Sequence, residues 1–95
     1  MIDFVDGRYR VQGSVTLANV QQVMAEARQR FDGPDVRVDL SGITEADSSA
    51  VAMLLLWVRE ASERGGRIQF EGPTESLKTL IILYEVANLL PGTGS

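Results

Sequence analysis

The segment Asp47-Ser48-Ser49 places one carboxylate and two hydroxyls directly before a long apolar stretch. Asp and Ser are preferred helix N-caps, because their side-chain oxygens accept hydrogen bonds from the free backbone N–H groups of a first turn. A phosphate on either serine would be well placed at the positive end of the helix dipole, although Glu45 and Asp47 would oppose its charge. The pattern predicts a capped helix start whose hydroxyls could also carry a phosphate.

The residue types that most often perform catalysis near neutral pH are missing from the chain. Histidine and cysteine are both absent, which excludes histidine-based triads, a cysteine nucleophile, thiolate zinc sites and disulfides. Gly13-Ser14 and Gly65-Gly66 are isolated pairs that lack the lysine and the strand-loop-helix context of a phosphate-binding loop. We therefore expect a protein that is not an enzyme and that holds neither a metal nor a cofactor.

Charge and hydropathy restrict the class of partner. Nine Lys and Arg against thirteen Asp and Glu give a net charge of -4, and no basic stripe could neutralise phosphates, so we expect no nucleic-acid binding. The longest apolar run, Ala50 to Val58, is far shorter than the roughly 20 residues that cross a bilayer. The N-terminus lacks the pattern of a signal peptide, so we expect a cytoplasmic protein without a membrane span.

The order of hydrophobic patterns predicts a single α/β domain. A chain of 95 residues can bury one modest core. Alternating runs on either side of Asp6-Gly7 predict an opening hairpin, and the elements follow in the order β-β-α-β-α-β-α. We expect a mixed sheet of about four strands with helices packed mainly on one face. The predicted strands are 2–5, 8–12, 36–40 and 67–71. The three predicted helices follow N-caps at Thr16, Asp47 and Thr74. We expect the domain to cover 1–91 and residues 92–95 to form a short flexible tail.

The helix after Asp47 is too apolar to bury only one stripe. Helical periodicity turns Leu54 toward the core and leaves Met53 and Leu56, beside Ala52, on the outer side. Scattered exposed apolar residues are normal in small domains, but a contiguous apolar face is typical of a docking surface. The predicted partner-binding residues are Asp47, Ser48, Ser49, Ala52, Met53 and Leu56, and the predicted core comprises Leu40, Leu54, Val58, Ile68, Phe70, Leu80 and Ile81.

The sequences VDLSGI at 38–43 and DSSAVAMLL at 47–55 resemble the central part of STAS domains, the fold of anti-sigma factor antagonists. The resemblance covers nearly the whole chain, since the order of elements is also theirs. It implies that Ser48 takes the position of the Ser or Thr that follows an Asp at the start of the family's second helix. In the sigma-regulating branch, that residue is phosphorylated by a kinase that is also the anti-sigma factor.

The sequences AMLLLW at 52–57 and LIILYEVANLLP at 80–91 resemble MlaB-type STAS proteins. These are cytoplasmic subunits of the Mla phospholipid ABC transporter, which maintains outer-membrane lipid asymmetry in Gram-negative bacteria. The resemblance implies a non-enzymatic subunit, at the inner face of the inner membrane, that binds an MlaF-like ATPase subunit through the start of its second helix. An anti-sigma factor antagonist controlled by an anti-sigma kinase at Ser48 is the alternative, and the residues alone leave both open.

Overall fold

A computed structural model describes residues 1–93. Its elements in chain order are β1 (Ile2–Val5), β2 (Arg8–Val11), β3 (Gly13–Val15), α1 (Val20–Arg30), β4 (Asp35–Asp39), β5 (Ile43–Ala46), α2 (Ser48–Glu63), β6 (Arg67–Glu71), α3 (Glu75–Leu83) and a 3₁₀ turn (Ala87–Leu89). None of the helices within residues 1–93 combines the length and the hydropathy needed to cross a membrane.

The chain opens with a two-residue hairpin, as predicted. β1 and β2 pair antiparallel with Val5 opposite Arg8, so that only Asp6 and Gly7 form the turn. Both turn residues have positive φ, 54° and 79°. A type I′ turn needs positive φ at both central positions, and the Asp-Gly sequence adopts that conformation readily.

The main sheet has the strand order β1-β2-β4-β6. β2, β4 and β6 run parallel while β1 is antiparallel, so the sheet is mixed. Val36 and Val38 are buried beside Ile68 and Phe70 of the neighbouring strand, whereas alternate residues such as Arg37 are exposed. One face of the sheet therefore lies under the helices, which confirms the predicted α/β fold class.

A second, two-stranded sheet was not predicted. β3 and β5 pair in parallel, and neither is among the four predicted strands. Both strands are short, three and four residues, with Val15 and Ile43 as their buried residues, so the alternation on which strand prediction depends is too brief to detect. β5 ends at Ala46, opposite Val15, and thereby sets the position of Asp47.

Helix α2 lies between α1 and α3 on the sheet. On the α1 side, the Trp57 ring centroid is 4.9 Å from that of Phe31, and Glu60 Oε2 is 3.8 Å from Arg28 Nε. Met53 lies one turn before Trp57 on the same side and is only 1% exposed. The prediction that Met53 belongs to an exposed outer face is wrong, because a helix with neighbours on both sides buries more than one stripe.

The predicted core residues pack into one cluster. Fully buried members are Leu40, Leu54, Ile68, Phe70 and Ile81, and partly buried members at its margin are Val58 and Leu80.

The first helix begins later than predicted. α1 starts at Val20 with Asn19 as its N-cap residue, rather than directly after Thr16. The Thr16 N–H donates to Asn19 Oδ1 at 2.9 Å, and the Thr16 carbonyl accepts from the Val20 N–H at 2.9 Å. Thr16 therefore closes a turn before the helix instead of capping it.

The C-terminal segment lies along the outer edge of β6. The Phe70 N–H donates to the Pro91 carbonyl at 2.8 Å, and the Thr93 hydroxyl donates to the Leu90 carbonyl at 2.9 Å. Gly92 fits because a Cβ on it would collide with the Phe70 carbonyl. Gly92 and Thr93 of the predicted tail thus form a hydrogen-bonded turn, and residues 94–95 lie outside the described residues.

Candidate functional site

Asp47 uses both carboxylate oxygens at the start of α2. Its Oδ1 accepts from the Ser49 N–H at 2.8 Å, which caps the helix, and its Oδ2 accepts from the Leu17 N–H at 2.9 Å. The hydrogen bond from Leu17, followed by those from Ser49, holds the pKa of Asp47 below its usual value of 3.8. The ionised carboxylate therefore joins the helix start to the segment that precedes α1.

Ser48 is the first residue of α2 and is exposed, whereas Ser49 is half-buried. Because Asp47 supplies the cap, the Ser48 side chain is not needed to close the first turn. Its hydroxyl lies at the positive end of a helix of 16 residues. Ser48 is thus the hydroxyl of this segment that a partner or a kinase can reach.

An apolar groove lies between the first turns of α2 and the end of α3. It has a volume of about 250 Å³ and is lined by Ser48, Val51, Ala52, Leu55, Tyr84 and Val86. These six residues are called the α2–α3 groove below. Tyr84 in its wall remains 49% exposed, and the adjacent Leu83 is 68% exposed. Contiguous apolar surface of this kind marks a binding site more often than scattered apolar residues do.

Four of the predicted site residues come together at the first turns of α2: Asp47, Ser48, Ser49 and Ala52. Of these, Ser48 and Ala52 line the α2–α3 groove. Leu56 lies one turn beyond Ala52 on the outward side and is half-buried. Met53 is buried on the side of α2 that carries Trp57 and contributes nothing to this surface.

The part of the groove that lies toward α3 was not predicted from the sequence. Leu55, Tyr84 and Val86 line it, although none was named as a site residue. A signal was present, because the apolar run from Leu80 to Tyr84 exceeds one helical stripe in the same way as α2 does. The apolar surface of α2 therefore continues onto the end of α3.

The open face of the main sheet has a different character. Glu71 accepts from Arg8 Nε at 2.6 Å and from Arg37 Nη2 at 2.6 Å, and Asp39 pairs with Arg10 at 3.1 Å. Partial burial raises the pKa of Glu71, but the hydrogen bonds from Arg37 and Arg8 outweigh it and leave the pKa below its usual value. These charges are matched within the sheet, so the face offers less to a partner than the groove does.

The fold is that of solved anti-sigma factor antagonists. The structure of SpoIIAA in its unphosphorylated form aligns with a TM-score of 0.71 at 17% identity, covering 97% of this chain and 85% of that chain. A protein of Thermotoga maritima assigned as an anti-sigma factor antagonist aligns with a TM-score of 0.78 at 14% identity, covering 96% and 82%. At such identities the likeness establishes the fold alone.

The sequence family is narrower than the fold. The model of the family described as "Mlab, STAS domain" matches residues 2–91. The chain therefore belongs to the MlaB-like STAS domain family, which confirms the resemblance found in the sequence. A search of curated proteins gives no match.

Proposed function

We propose that the protein is a non-enzymatic subunit that binds the ATPase subunit of a Mla-type phospholipid ABC transporter. Membership of the MlaB-like STAS family supports this function. The observation that carries it is the α2–α3 groove, an apolar surface beside the accessible hydroxyl of Ser48. A surface with these properties suits the binding of another protein.

The proposed mechanism is allosteric. Docking of the α2 start and the groove would stabilise one arrangement of the ATPase, at the inner face of the inner membrane. This requires tighter binding to that arrangement than to the others, because a ligand with equal affinity for two states does not change the equilibrium between them. Couplings of this kind are about 1–3 kcal/mol, or roughly 5- to 150-fold in affinity. The transporter would then maintain outer-membrane lipid asymmetry with this chain as an accessory subunit.

A second candidate is an anti-sigma factor antagonist whose partner is an anti-sigma kinase. The exposure of Ser48 at the start of α2, in a fold like that of unphosphorylated SpoIIAA, favours it. A phosphate on Ser48 would add between about one and a half and two negative charges beside Glu45 and Asp47. In that case phosphorylation would abolish binding to the kinase.

Affinity purification of the tagged chain from its native cell, with identification of bound proteins and of phosphate on Ser48, tests the two candidates. We expect an ABC-transporter ATPase subunit to co-purify and then to bind the purified chain directly. A co-purifying kinase that phosphorylates the wild type but not Ser48→Ala would establish the second candidate instead. Failure of a purified ATPase subunit to bind the chain would refute the first.

A further inference from the structure

The size and lining of the α2–α3 groove define what can occupy it. Its volume of about 250 Å³ lies below the 300–1,000 Å³ of typical small-molecule pockets. Its walls are apolar apart from the hydroxyls of Ser48 and Tyr84. A shallow apolar groove between two helices suits the apolar side chains of an amphipathic helix. The groove therefore fits a protein segment better than a metabolite.

Acidic residues outnumber basic ones close to the groove. The nearest cation along α2, Arg59, lies one turn beyond Leu55 and pairs with Glu63 at 3.4 Å. Segments 11–27, 38–58 and 79–93 contain no Lys or Arg. They meet at the start of α2, because Leu17 is hydrogen-bonded to Asp47, and Ser48 and Tyr84 line the same groove.

Three acidic residues of these segments, Glu45, Asp47 and Glu85, lie within three residues of a lining residue along the chain and are called the border of the groove below. Glu45 lies two residues before Asp47, and Glu85 directly follows Tyr84. Within residues 1–93, neither Glu45, Asp47 nor Glu85 forms a salt bridge, in contrast to the paired carboxylates of the sheet face. The lowered pKa of Asp47 keeps its charge in place. The groove is thus apolar within and acidic at its border.

We propose that the occupant of the α2–α3 groove is an amphipathic helix of the partner protein, with Lys or Arg beside its apolar face; this rests on the proposed function. Opposite charge across an interface accelerates encounter and selects the partner. A second copy docking through the same face would oppose like carboxylates, since a twofold interface places one patch against itself. An anionic lipid surface attracts basic segments and would be repelled here.

Two synthetic helical peptides test the proposal by NMR titration of the isotope-labelled chain. Both carry Leu at i, i+3, i+4 and i+7, with Lys at the remaining positions in one and Glu in the other. We expect the basic peptide to shift the signals of Ser48, Ala52, Leu55 and Tyr84 and to bind at least about tenfold more tightly than the acidic one. Its affinity should fall about tenfold when the ionic strength rises from about 0.05 to about 0.5 M, since salt screens exposed charges.

Matched charge variants locate the effect. Neutralising the border with Glu45→Gln and Glu85→Gln should lower the affinity for the basic peptide about tenfold and reduce the salt dependence of that affinity. The control, Asp32→Asn with Asp35→Asn, changes the net charge equally near the far end of α2, where the Arg67 N–H contacts the Pro34 carbonyl. It should leave the affinity unchanged.

Several outcomes would overturn the proposal: equal binding of both peptides, binding of neither, or equal losses in the border and control variants. Signals of the groove that shift with protein concentration would assign it to a second copy, and shifts with anionic phospholipid vesicles would assign it to a membrane.

The proposed function can fail independently of this inference. If the ATPase subunit does not bind while the basic peptide occupies the groove, only the transporter role is lost. If the ATPase binds with no charge or salt dependence, only this inference is lost.

Discussion

At the scale of single residues, Asp47 links two parts of the site. Its carboxylate accepts from Ser49 in α2 and from Leu17 in the preceding segment. We expect Asp47→Ala to lower the free energy of unfolding and Asp47→Asn to fall between it and the wild type, because Asn still caps a helix. Urea denaturation measures the order of the three proteins. An Asp47→Ala variant as stable as the wild type would contradict the capping role.

A substitution at Ser48 tests partner binding separately from folding. Ser48→Glu should leave stability nearly unchanged, since the residue is exposed and a carboxylate in the first helical turn is favourable. Ser48 lines the apolar groove, so a carboxylate there would be buried against the apolar face of the partner helix without a cation. Such burial costs several kcal/mol, and ATPase affinity should fall about a hundredfold or more. Ser76→Glu, at an exposed serine in the first turn of α3, is the matched control and should bind normally. Unchanged affinity with Ser48→Glu would remove Ser48 from the interface.

At the scale of elements, the orientation of α2 distinguishes core from surface. Leu54 is fully buried, whereas Leu56 is half-buried on the outward side. Leu54→Ala should therefore cost about 2 to 5 kcal/mol, and Leu56→Ala should cost less than about 1.5 kcal/mol. Denaturant unfolding of both variants measures the difference. Equal losses would mean that the helix is rotated relative to this description.

The elements also show which features of the fold sequence patterns can predict. The hairpin, β4, β6 and the three helices were predictable, because each carries a sustained period or a turn signal such as Asp6-Gly7. β3 and β5 were missed because they are too short for a period to emerge. Helical periodicity indicated which side of α2 meets the sheet, but not that Met53 would be buried or that Tyr84 would line the groove. Those positions depend on tertiary neighbours.

At the scale of the whole molecule, carboxylates control the pH dependence of stability. Burial raises the pKa of Asp39, but hydrogen bonds from Ser41 and Arg10 outweigh it, and the pKa values of Asp47 and Glu71 are also lowered. Groups with a lowered folded-state pKa stabilise the fold above their unfolded pKa, and that stability is lost as pH falls through the folded values.

We expect a melting temperature that is nearly constant from about pH 7 to 5, because the sequence has no histidine to titrate in that range, and that falls below about pH 4. Thermal unfolding across that range measures it. Glu71→Gln should reduce the acid-induced loss. A melting temperature that already falls steeply between pH 7 and 5 would contradict this assignment.

The central claim is that the α2–α3 groove is the docking surface, and Ala52→Arg tests it most directly. Ala52 is exposed in the free protein and lines the groove, so Arg should change the free energy of unfolding by no more than about 0.5 kcal/mol. Ala25→Arg, at an exposed alanine of α1, is the matched control. Calorimetric titration with the ATPase subunit should show affinity about a hundredfold lower for Ala52→Arg and unchanged for Ala25→Arg. Equal affinity of the two variants, with both folded, would place the interface elsewhere on the molecule.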